Sequence, residues 1–480
     1  MEEQHSSKKI YIIIGVVLLV IVLALGFLFL KKGQGADGTQ KSVGALFGNI
    51  GKDIARATGN IITPGDALPS DQNTTAEGGV EPLFKHLTNI EVAGATSVSR
   101  EGRTYVRYIA RENGYIYDVD VKTGSSTQLT NTVIPRIYEA YFANGGNTVI
   151  ARYLKHDDVA RKDIVKTYIA NLSLAVATDS SIVDALGSLI GSEPQLPDDI
   201  SSLSVSPNGS QLFYLLPVAD GVSGTIVNTR TRIATEVFRN SFSEWLPQLL
   251  DDGDVILTSK PSADIAGYAY LYDTSKKTLS PIIREKNGAT TQATPDGSRM
   301  LYSENLFGKT ILRVYDKKGF DTDSTVVVHD VPLQLATLPE KCVWAHNYIR
   351  IYCGAFASTP QAQIPDDWYQ GALSFSDTFW TIDTTLTNLV FLADPEKEKD
   401  AERIFDVVYP FIDSSEDHFF FIDKNDSTLW SMRLEKSKFT GSADLPIADM
   451  VVPELSPEEM KDAQGSMPLI STSSSETKVK

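Results

Sequence analysis

The sequence has little of the side-chain chemistry that enzymes commonly use. It contains only two cysteines and six histidines in 480 residues. The histidines are scattered, none has metal-ligand spacing, and none lies beside a Gly-x-Ser-x-Gly elbow. Acidic residues occur in nearly every turn, so their number does not indicate a catalytic pair. We therefore predict no catalytic residue, no metal site and no cofactor.

Positive charge is also scarce. The chain has 44 Lys and Arg against 61 Asp and Glu, which gives a net charge of −17 and a pI near 4.9. A chain with this balance is repelled by phosphate backbones and by anionic membrane surfaces. We therefore predict no nucleic-acid partner.

One long stretch, Ile10–Leu30, has no charge at all. Its residues, at about 1.5 Å each, cover about 30 Å, which predicts a membrane helix preceded by a short cytoplasmic tail, residues 1–9. Lysines flank both ends, so the local charge rule does not set the orientation. A long domain after an N-terminal signal anchor is normally translocated, so we expect a single-pass protein of the cell membrane with its body on the extracytoplasmic side.

The apolar stretch has two other interpretations, a lipid-modified cysteine anchor and a cleaved signal peptide. No cysteine lies near the end of the apolar stretch, which excludes a lipid-modified cysteine anchor. A cleaved signal peptide stays open as an alternative, although the apolar stretch is long and ends in the bulky run Leu28-Phe29-Leu30. Residues 31–80 read as a flexible tether and residues 441–480 as a polar, mostly disordered tail.

Between these segments, residues 81–440 contain a repeated phrase. Its clearest copy, Ala293–Asp316, has a Pro-Asp-Gly turn followed by two strand-like segments, the second ending in Tyr-Asp. Pro, Asp and Gly each favour a chain reversal, and Gly297 supplies a positive φ. Turn glycines recur 44 residues apart at Gly209, Gly253 and Gly297.

A period in the forties with four short strands per unit is typical of β-propeller blades. About seven copies fit, so we predict an all-β, seven-bladed propeller of four-stranded antiparallel blades. A pair of β-sandwiches is the alternative, but sandwiches do not repeat at a fixed period. The turn phrases SPNGS and TPDGS resemble those of TolB-like and WD-repeat propellers; the missing Trp-Asp dipeptide makes TolB-like proteins the better match.

Two segments depart from the regular repeat. The phrase LFKHLTN at Leu83 is similar to the fourth-strand phrase TQLTN, so we expect it to complete the last blade and close the ring. In the second blade, Ile182, Leu186, Leu189 and Ile190 follow helical spacing, which predicts a packed helix.

The sixth blade carries both cysteines in the phrase KCVWAHNYIRIYCG. Cys342 and Cys353 are symmetric about Asn347-Tyr348, so a tight hairpin would place them opposite each other, within disulfide distance. A disulfide indicates a compartment outside the cytoplasm, whereas two reduced strand cysteines are the alternative.

The next segment, Ala355–Asp377, reads as a long insertion. We predict a ligand-contact loop made of Asp366, Asp367, Trp368, Tyr369 and Gln370, since long loops on rigid scaffolds often bind and Trp and Tyr are favoured contact residues. Packing against the blade edge is an equal alternative for Trp368 and Tyr369. The phrases CVW…YCG, DDWYQG and FSDTFWTID resemble a group of uncharacterised membrane-anchored bacterial propeller proteins, a resemblance that implies a design and no activity.

These features favour a binding or scaffold module of the cell envelope, attached to the membrane through Ile10–Leu30 and recognising another envelope protein, a peptide or a glycan. Two alternatives remain. One is a propeller enzyme acting on surface or cell-wall polysaccharide, and the other is a structural spacer.

Overall fold

The computed structural model describes residues 81–159, 161–173, 188–191, 196–316, 330–357 and 360–436. Within these ranges the strands form seven four-stranded antiparallel sheets. No helix in these ranges is long and apolar enough to cross a membrane. The predicted membrane helix Ile10–Leu30, the tether and the polar tail lie outside the described residues.

The first four blades each contain four strands in chain order. Blade 1 has β2 (Val92–Arg100), β3 (Arg103–Ala110), β4 (Ile116–Asp120) and β5 (Ser126–Gln128). Blade 2 has β6 (Ile137–Ala143), β7 (Thr148–Asp157), β8 (Lys162–Ser173) and β9 (Ser188–Gly191). Blade 3 has β10 (Ser202–Val205), β11 (Gln211–Val218), β12 (Gly221–Asn228) and β13 (Ala234–Asn240), and blade 4 has β14 (Trp245–Leu249), β15 (Val255–Ser259), β16 (Ala266–Asp273) and β17 (Thr278–Asn287).

The last three blades follow the same pattern, except that the final one takes its fourth strand from the beginning of the domain. Blade 5 has β18 (Thr291–Ala293), β19 (Arg299–Leu306), β20 (Lys309–Asp316) and β21 (Asp330–Pro332). Blade 6 has β22 (Cys342–Trp344), β23 (Arg350–Phe356), β24 (Asp377–Asp383) and β25 (Asn388–Ala393). Blade 7 has β26 (Val407–Ile412), β27 (His418–Asp423), β28 (Leu429–Arg433) and β1 (Phe84–His86).

The blades are arranged around a common axis. First strands of neighbouring blades lie against one another, as β2 does against β6 and β10 against β14. Strand β1 pairs antiparallel with β28, so the segment at Leu83 completes the last blade as predicted. The described part of the chain is therefore a closed, seven-bladed β-propeller, and the prediction of a TolB-like or WD-repeat-like propeller is confirmed at the level of the fold.

The repeated turn phrase connects the first and second strands of each blade. Gly297 has a φ of +64°, the left-handed conformation that the sequence predicts. A Cβ at this position would lie 2.7 Å from the Leu250 side chain, so the turn of blade 5 also packs closely on blade 4. In the two degenerate copies Tyr348 and Glu416 take the positive φ instead.

Each blade buries both of its faces, because a propeller blade lies between two others. On blade 5, Met300 and Tyr302 pack with Ile256 of blade 4, whereas Leu301 and Leu312 pack towards the cysteines of blade 6. This explains why β19 is buried at five successive positions rather than at alternate ones. The apolar core consists of such interfaces between neighbouring blades.

The prediction of a helix in blade 2 is wrong for the C-terminal end of the predicted segment. Leu189 and Ile190 lie in β9, which pairs with β8 through Leu172 and Leu189 and supplies the fourth strand of the blade. Pairing with an open sheet edge therefore outweighs the local helical spacing. Residues 174–187 lie outside the described residues.

Candidate functional site

One end of the propeller carries the loops between second and third strands and the connections from each blade to the next. We call this end the loop face. Its longest connection, the blade-6 insertion, joins β23 to β24 through residues 357–376. It contains one short helix, α1 (Asp366–Tyr369).

The insertion reaches beyond its own blade. Asp366 Oδ2 accepts a hydrogen bond of 2.6 Å from the backbone N–H of Ala263, in the corresponding loop of blade 4. Asn305 of blade 5 donates through Nδ2 to the Ile364 carbonyl at 2.5 Å and to the Ala263 carbonyl at 3.3 Å. The insertion is therefore fastened across blades 4, 5 and 6 by hydrogen bonds, which gives it a defined position on the loop face.

The five residues predicted to contact a ligand lie in different environments. Trp368 is 4% exposed and packs beside Phe375, so its ring belongs to the protein interior. Asp366 and Asp367 are half-buried; Asp367 accepts from the Gln363 backbone N–H at 2.9 Å. Tyr369 and Gln370 are exposed. Trp368 therefore packs into the protein interior, and ligand contact stays a prediction for Asp366, Asp367, Tyr369 and Gln370.

The Tyr369 side chain is anchored at its tip. Its hydroxyl donates to Glu340 Oε1, and the other Glu340 oxygen accepts from the Thr290 hydroxyl at 2.8 Å. Burial raises the pKa of Glu340, and burial beside that carboxyl raises the pKa of Tyr369 well above its usual value. The ring is therefore held on the surface by the protein, which reduces the entropy lost when it contacts a partner.

A fully buried ion cluster lies beneath the insertion. Lys341 Nζ is 2.6 Å from both Asp377 Oδ2 and Asp406 Oδ1, and all three residues have 0% exposure. Asp406 also accepts from the indole N–H of Trp368 at 3.0 Å. The sequence does not predict this cluster, because its three residues lie at or just before the first residues of three different strands and share no motif.

A cleft of about 490 Å³ opens beside the insertion, between blades 6 and 7. Its walls are formed by residues 374–376 on one side and by Arg403, Ile404 and Asn425 on the other. Arg403 lies over the rings of Phe405 and Trp430, with 5.2 Å from its guanidinium carbon to each ring centre, and pairs with carboxylates of blade 7. Ile404 is 51% exposed. The cleft thus combines an apolar wall with hydrogen-bonding groups, a composition suited to one side chain or sugar ring of a larger ligand.

The two cysteines of blade 6 form the predicted disulfide. Cys342 lies directly opposite Cys353 in the β22–β23 pair, with 4.1 Å between their Cα atoms. In the turn between them, His346 Nε2 lies 3.1 Å from the Asp413 carbonyl, and its backbone N–H donates to Glu416. The hairpin is therefore covalently closed and joined to blade 7.

Among the described residues there is no group of three or more His, Cys, Asp or Glu side chains placed to hold a metal ion. The charged run at residues 155–158 lies at the end of β7, where His156 contacts Asp163 at 3.0 Å. Both side chains are substantially exposed, as expected for a solvated loop.

Comparison with known proteins gives structural likeness alone. No family model and no curated protein matches the sequence. The structure is similar to an oligogalacturonate lyase from Vibrio parahaemolyticus, with 10% identity over 74% of this chain and 94% of that chain and a TM-score of 0.47. It is also similar to TolB from Acinetobacter baumannii (11% identity, 68% and 61% coverage, TM-score 0.33) and to the β-propeller domain of Cps50 from Myceliophteria thermophila (8% identity, 73% and 100% coverage, TM-score 0.44). At these values no activity is transferred, and the fold assignment rests on the sheet topology.

Proposed function

We propose that this protein is a membrane-anchored, extracytoplasmic β-propeller that acts as a binding or scaffold module of the cell envelope. The observation that carries the proposal is the blade-6 insertion, a long loop fastened across three blades that presents the exposed Tyr369 and forms one wall of an open cleft with residues 374–376. Long loops held by a rigid scaffold are common sites of recognition. The partner is a protein or peptide that places one side chain in the cleft; a glycan is the alternative ligand.

The proposed location rests on two features. Ile10–Leu30 has the length and composition of a membrane helix. The Cys342–Cys353 disulfide is of a kind that persists in oxidising compartments and is rare in the cytosol. Together they favour a propeller on the outer side of the membrane.

A polysaccharide-cleaving enzyme is less well supported. Such an enzyme needs a pair of carboxyl groups that face a cleft and flank the bond to be broken. On the loop face, the carboxyls whose pKa is raised are Glu340, which is bonded to Tyr369 and Thr290, and Asp377 and Asp423, which are fully buried. These groups are engaged within the protein, whereas Tyr369 and Ile404 are exposed, as a docking surface requires.

The location is tested by protease treatment of intact cells combined with non-reducing peptide mapping of the two cysteines. We expect the propeller to be digested from outside and Cys342 to be recovered linked to Cys353. Protection of the propeller together with two free thiols would contradict the proposed orientation.

The binding surface is tested separately with a photo-crosslinking residue at Gln370 and, as a control, at Leu386. Leu386 lies in the turn between β24 and β25, at the opposite end of the propeller, and is 75% exposed. A crosslinked species is expected from position 370 alone. Equal crosslinking from both positions, or none from position 370, would reject the loop face as the binding surface.

A further inference from the structure

Lys341 places a primary amine in the protein interior between two carboxyl groups. Its Nζ lies 2.6 Å from Asp377 Oδ2, 2.6 Å from Asp406 Oδ1 and 3.0 Å from the Val407 carbonyl. None of the three side chains reaches solvent. A buried ammonium that faces two buried carboxylates is costly, because the desolvation of each charge opposes their attraction.

Aromatic rings enclose the amine on the side of the insertion. The ring centres of Trp368 and Phe375 are each 5.1 Å from Nζ. Both rings are 4% exposed. The amine and the carboxyl groups are therefore held together, away from bulk water.

The two carboxyl groups differ in how well they are bonded. Asp406 accepts from Lys341, from the indole of Trp368 and from the backbone N–H of Phe375 at 3.2 Å, so its negative charge is well stabilised. Asp377 Oδ2 accepts from Lys341 and from the backbone N–H of Val407 at 2.7 Å, whereas Asp377 Oδ1 is buried without a hydrogen-bond partner. Burial raises the pKa of Asp377 to about 6, and the neighbouring Asp406 adds to the shift against the attraction of Lys341. Asp377 is thus the group that more readily becomes a neutral acid.

We propose that Lys341 and Asp377 condense into an intramolecular amide bond, with Asp406 as the proton-transfer group. The ammonium of Lys341 loses a proton to the Asp406 carboxylate, and the neutral Nζ attacks Cγ of Asp377 in its acid form. A C–N bond forms, the C–O bond to one Asp377 oxygen breaks, and that oxygen leaves as water. The Lys341 ammonium, the Asp406 carboxylate and the Asp377 acid are thus converted into one amide, one water molecule and the protonated form of Asp406, so no oxidant, reductant or activating group is required.

The site supplies what this condensation needs. The reacting groups are at contact distance in a fixed geometry, which replaces a bimolecular encounter. The surroundings exclude water, which disfavours hydrolysis of the amide once it has formed. The product is a neutral amide, so the cost of burying two opposite charges is removed, and Asp406 remains as an acceptor for the amide N–H.

The bond would fix the base of the insertion. Lys341 immediately precedes β22, and Asp377 begins β24. An amide between Lys341 and Asp377 closes a covalent loop that contains the disulfide hairpin and the insertion. The segment that carries Tyr369 would therefore lie within a covalently closed loop. This inference does not depend on the proposed binding function or on the side of the membrane.

The test is a peptide map of the full-length protein by mass spectrometry after denaturation and reduction of the disulfide. We expect a branched peptide that joins the segments around Lys341 and Asp377 and weighs one water molecule less than their sum, with no cleavage by trypsin after Lys341. Recovery of the two segments unlinked, each at its full mass, would overturn the proposal. A branch at Asp406 would overturn the assigned roles of the carboxyl groups.

Two controls accompany the peptide map, a second lysine–carboxylate pair and a variant of Asp406. Lys286 Nζ lies 2.7 Å from Glu304 Oε1, but Lys286 is partly exposed, so its peptides should be unlinked in the same digest. Asp406→Asn keeps the shape of the side chain and removes the proton acceptor, so the branched peptide should be lost while the disulfide between Cys342 and Cys353 still forms. Retention of the branch in this variant would reject the role of Asp406.

Discussion

Phe84 lies opposite Met432 across the last blade, so a residue from the beginning of the domain is hydrogen-bonded into a sheet built from its end. Phe84 is 1% exposed, and its ring centre is 5.2 Å from that of Phe379 and 5.6 Å from that of Phe405. The closing strand is thus packed against blade 6 as well as paired with blade 7.

Truncation of the Phe84 side chain should weaken the packing of the closing strand β1 against blades 6 and 7. We expect Phe84→Ala to lower the free energy of unfolding by about 3–5 kcal/mol, the usual cost of removing a buried phenylalanine ring. Urea denaturation of the full-length protein in detergent measures the change. Val133→Ala, at a position that is 61% exposed, is the control and should change it by less than about 0.5 kcal/mol. Equal effects of the two substitutions would show that closure does not limit stability.

The disulfide should contribute to stability by restricting the unfolded chain. Its cysteines are 11 residues apart, a short loop for which the expected contribution is about 2–3 kcal/mol. Reductant should therefore lower the urea midpoint of the wild-type protein. The double variant Cys342→Ser, Cys353→Ser should start at the lower midpoint and not respond to reductant. A wild-type midpoint that is unchanged by reductant would contradict the prediction.

How far the sequence predicts the structure depends on whether a feature is local. The turn phrase, the closing strand at Leu83 and the cysteine pair are encoded within single hairpins or repeats, and the structure confirms all three. The cluster of Lys341, Asp377 and Asp406 is assembled by packing between blades 6 and 7, so no local sequence pattern predicts it.

Trp368 shows the same limit. The local sequence of an insertion does not show whether a tryptophan in it is exposed or buried. Burial of Trp368 depends on its hydrogen bond to Asp406, which is 38 residues away. The helical spacing at Leu189 and Ile190 also fails to predict strand β9, because the pairing of this strand is decided by the open edge of blade 2.

The stability of the closing segment should depend on pH through His418. Burial alone would lower the pKa of His418, but Asp413 and Glu81 outweigh it and raise the pKa to about 9. Glu81 Oε1 is 3.3 Å from Nε2, Asp413 Oδ2 is 3.8 Å from Nδ1, and Phe420 stacks on the ring. Protonated His418 therefore ties the residues before β1 to blade 7.

Because this pKa is raised in the folded state, the stabilisation is complete below about pH 6.5, the usual histidine value, and is lost as the pH rises through 9. Its size at low pH is at most about 3 kcal/mol. Urea midpoints of the wild type and His418→Gln, measured from pH 6 to pH 10, should converge at the alkaline end. A difference that is constant with pH would contradict the role of the imidazolium.

The last prediction concerns the order of the blade-6 insertion. Trp368 fills the space above Lys341, and Lys424 Nζ donates to its backbone carbonyl, so the ring and its helix are tied to blade 7. We expect Trp368→Ala to cost about 3–5 kcal/mol locally and to expose residues 357–376 to protease cleavage and to fast amide exchange. Tyr369→Phe, the matched control, removes only the hydroxyl that donates to Glu340 and should leave both measures close to the wild type, because the buried indole, and not this hydrogen bond, holds the segment. If the tyrosine variant loosened the insertion as much as the tryptophan variant did, the anchor would be the hydrogen bond to Glu340 and not the packing of the indole.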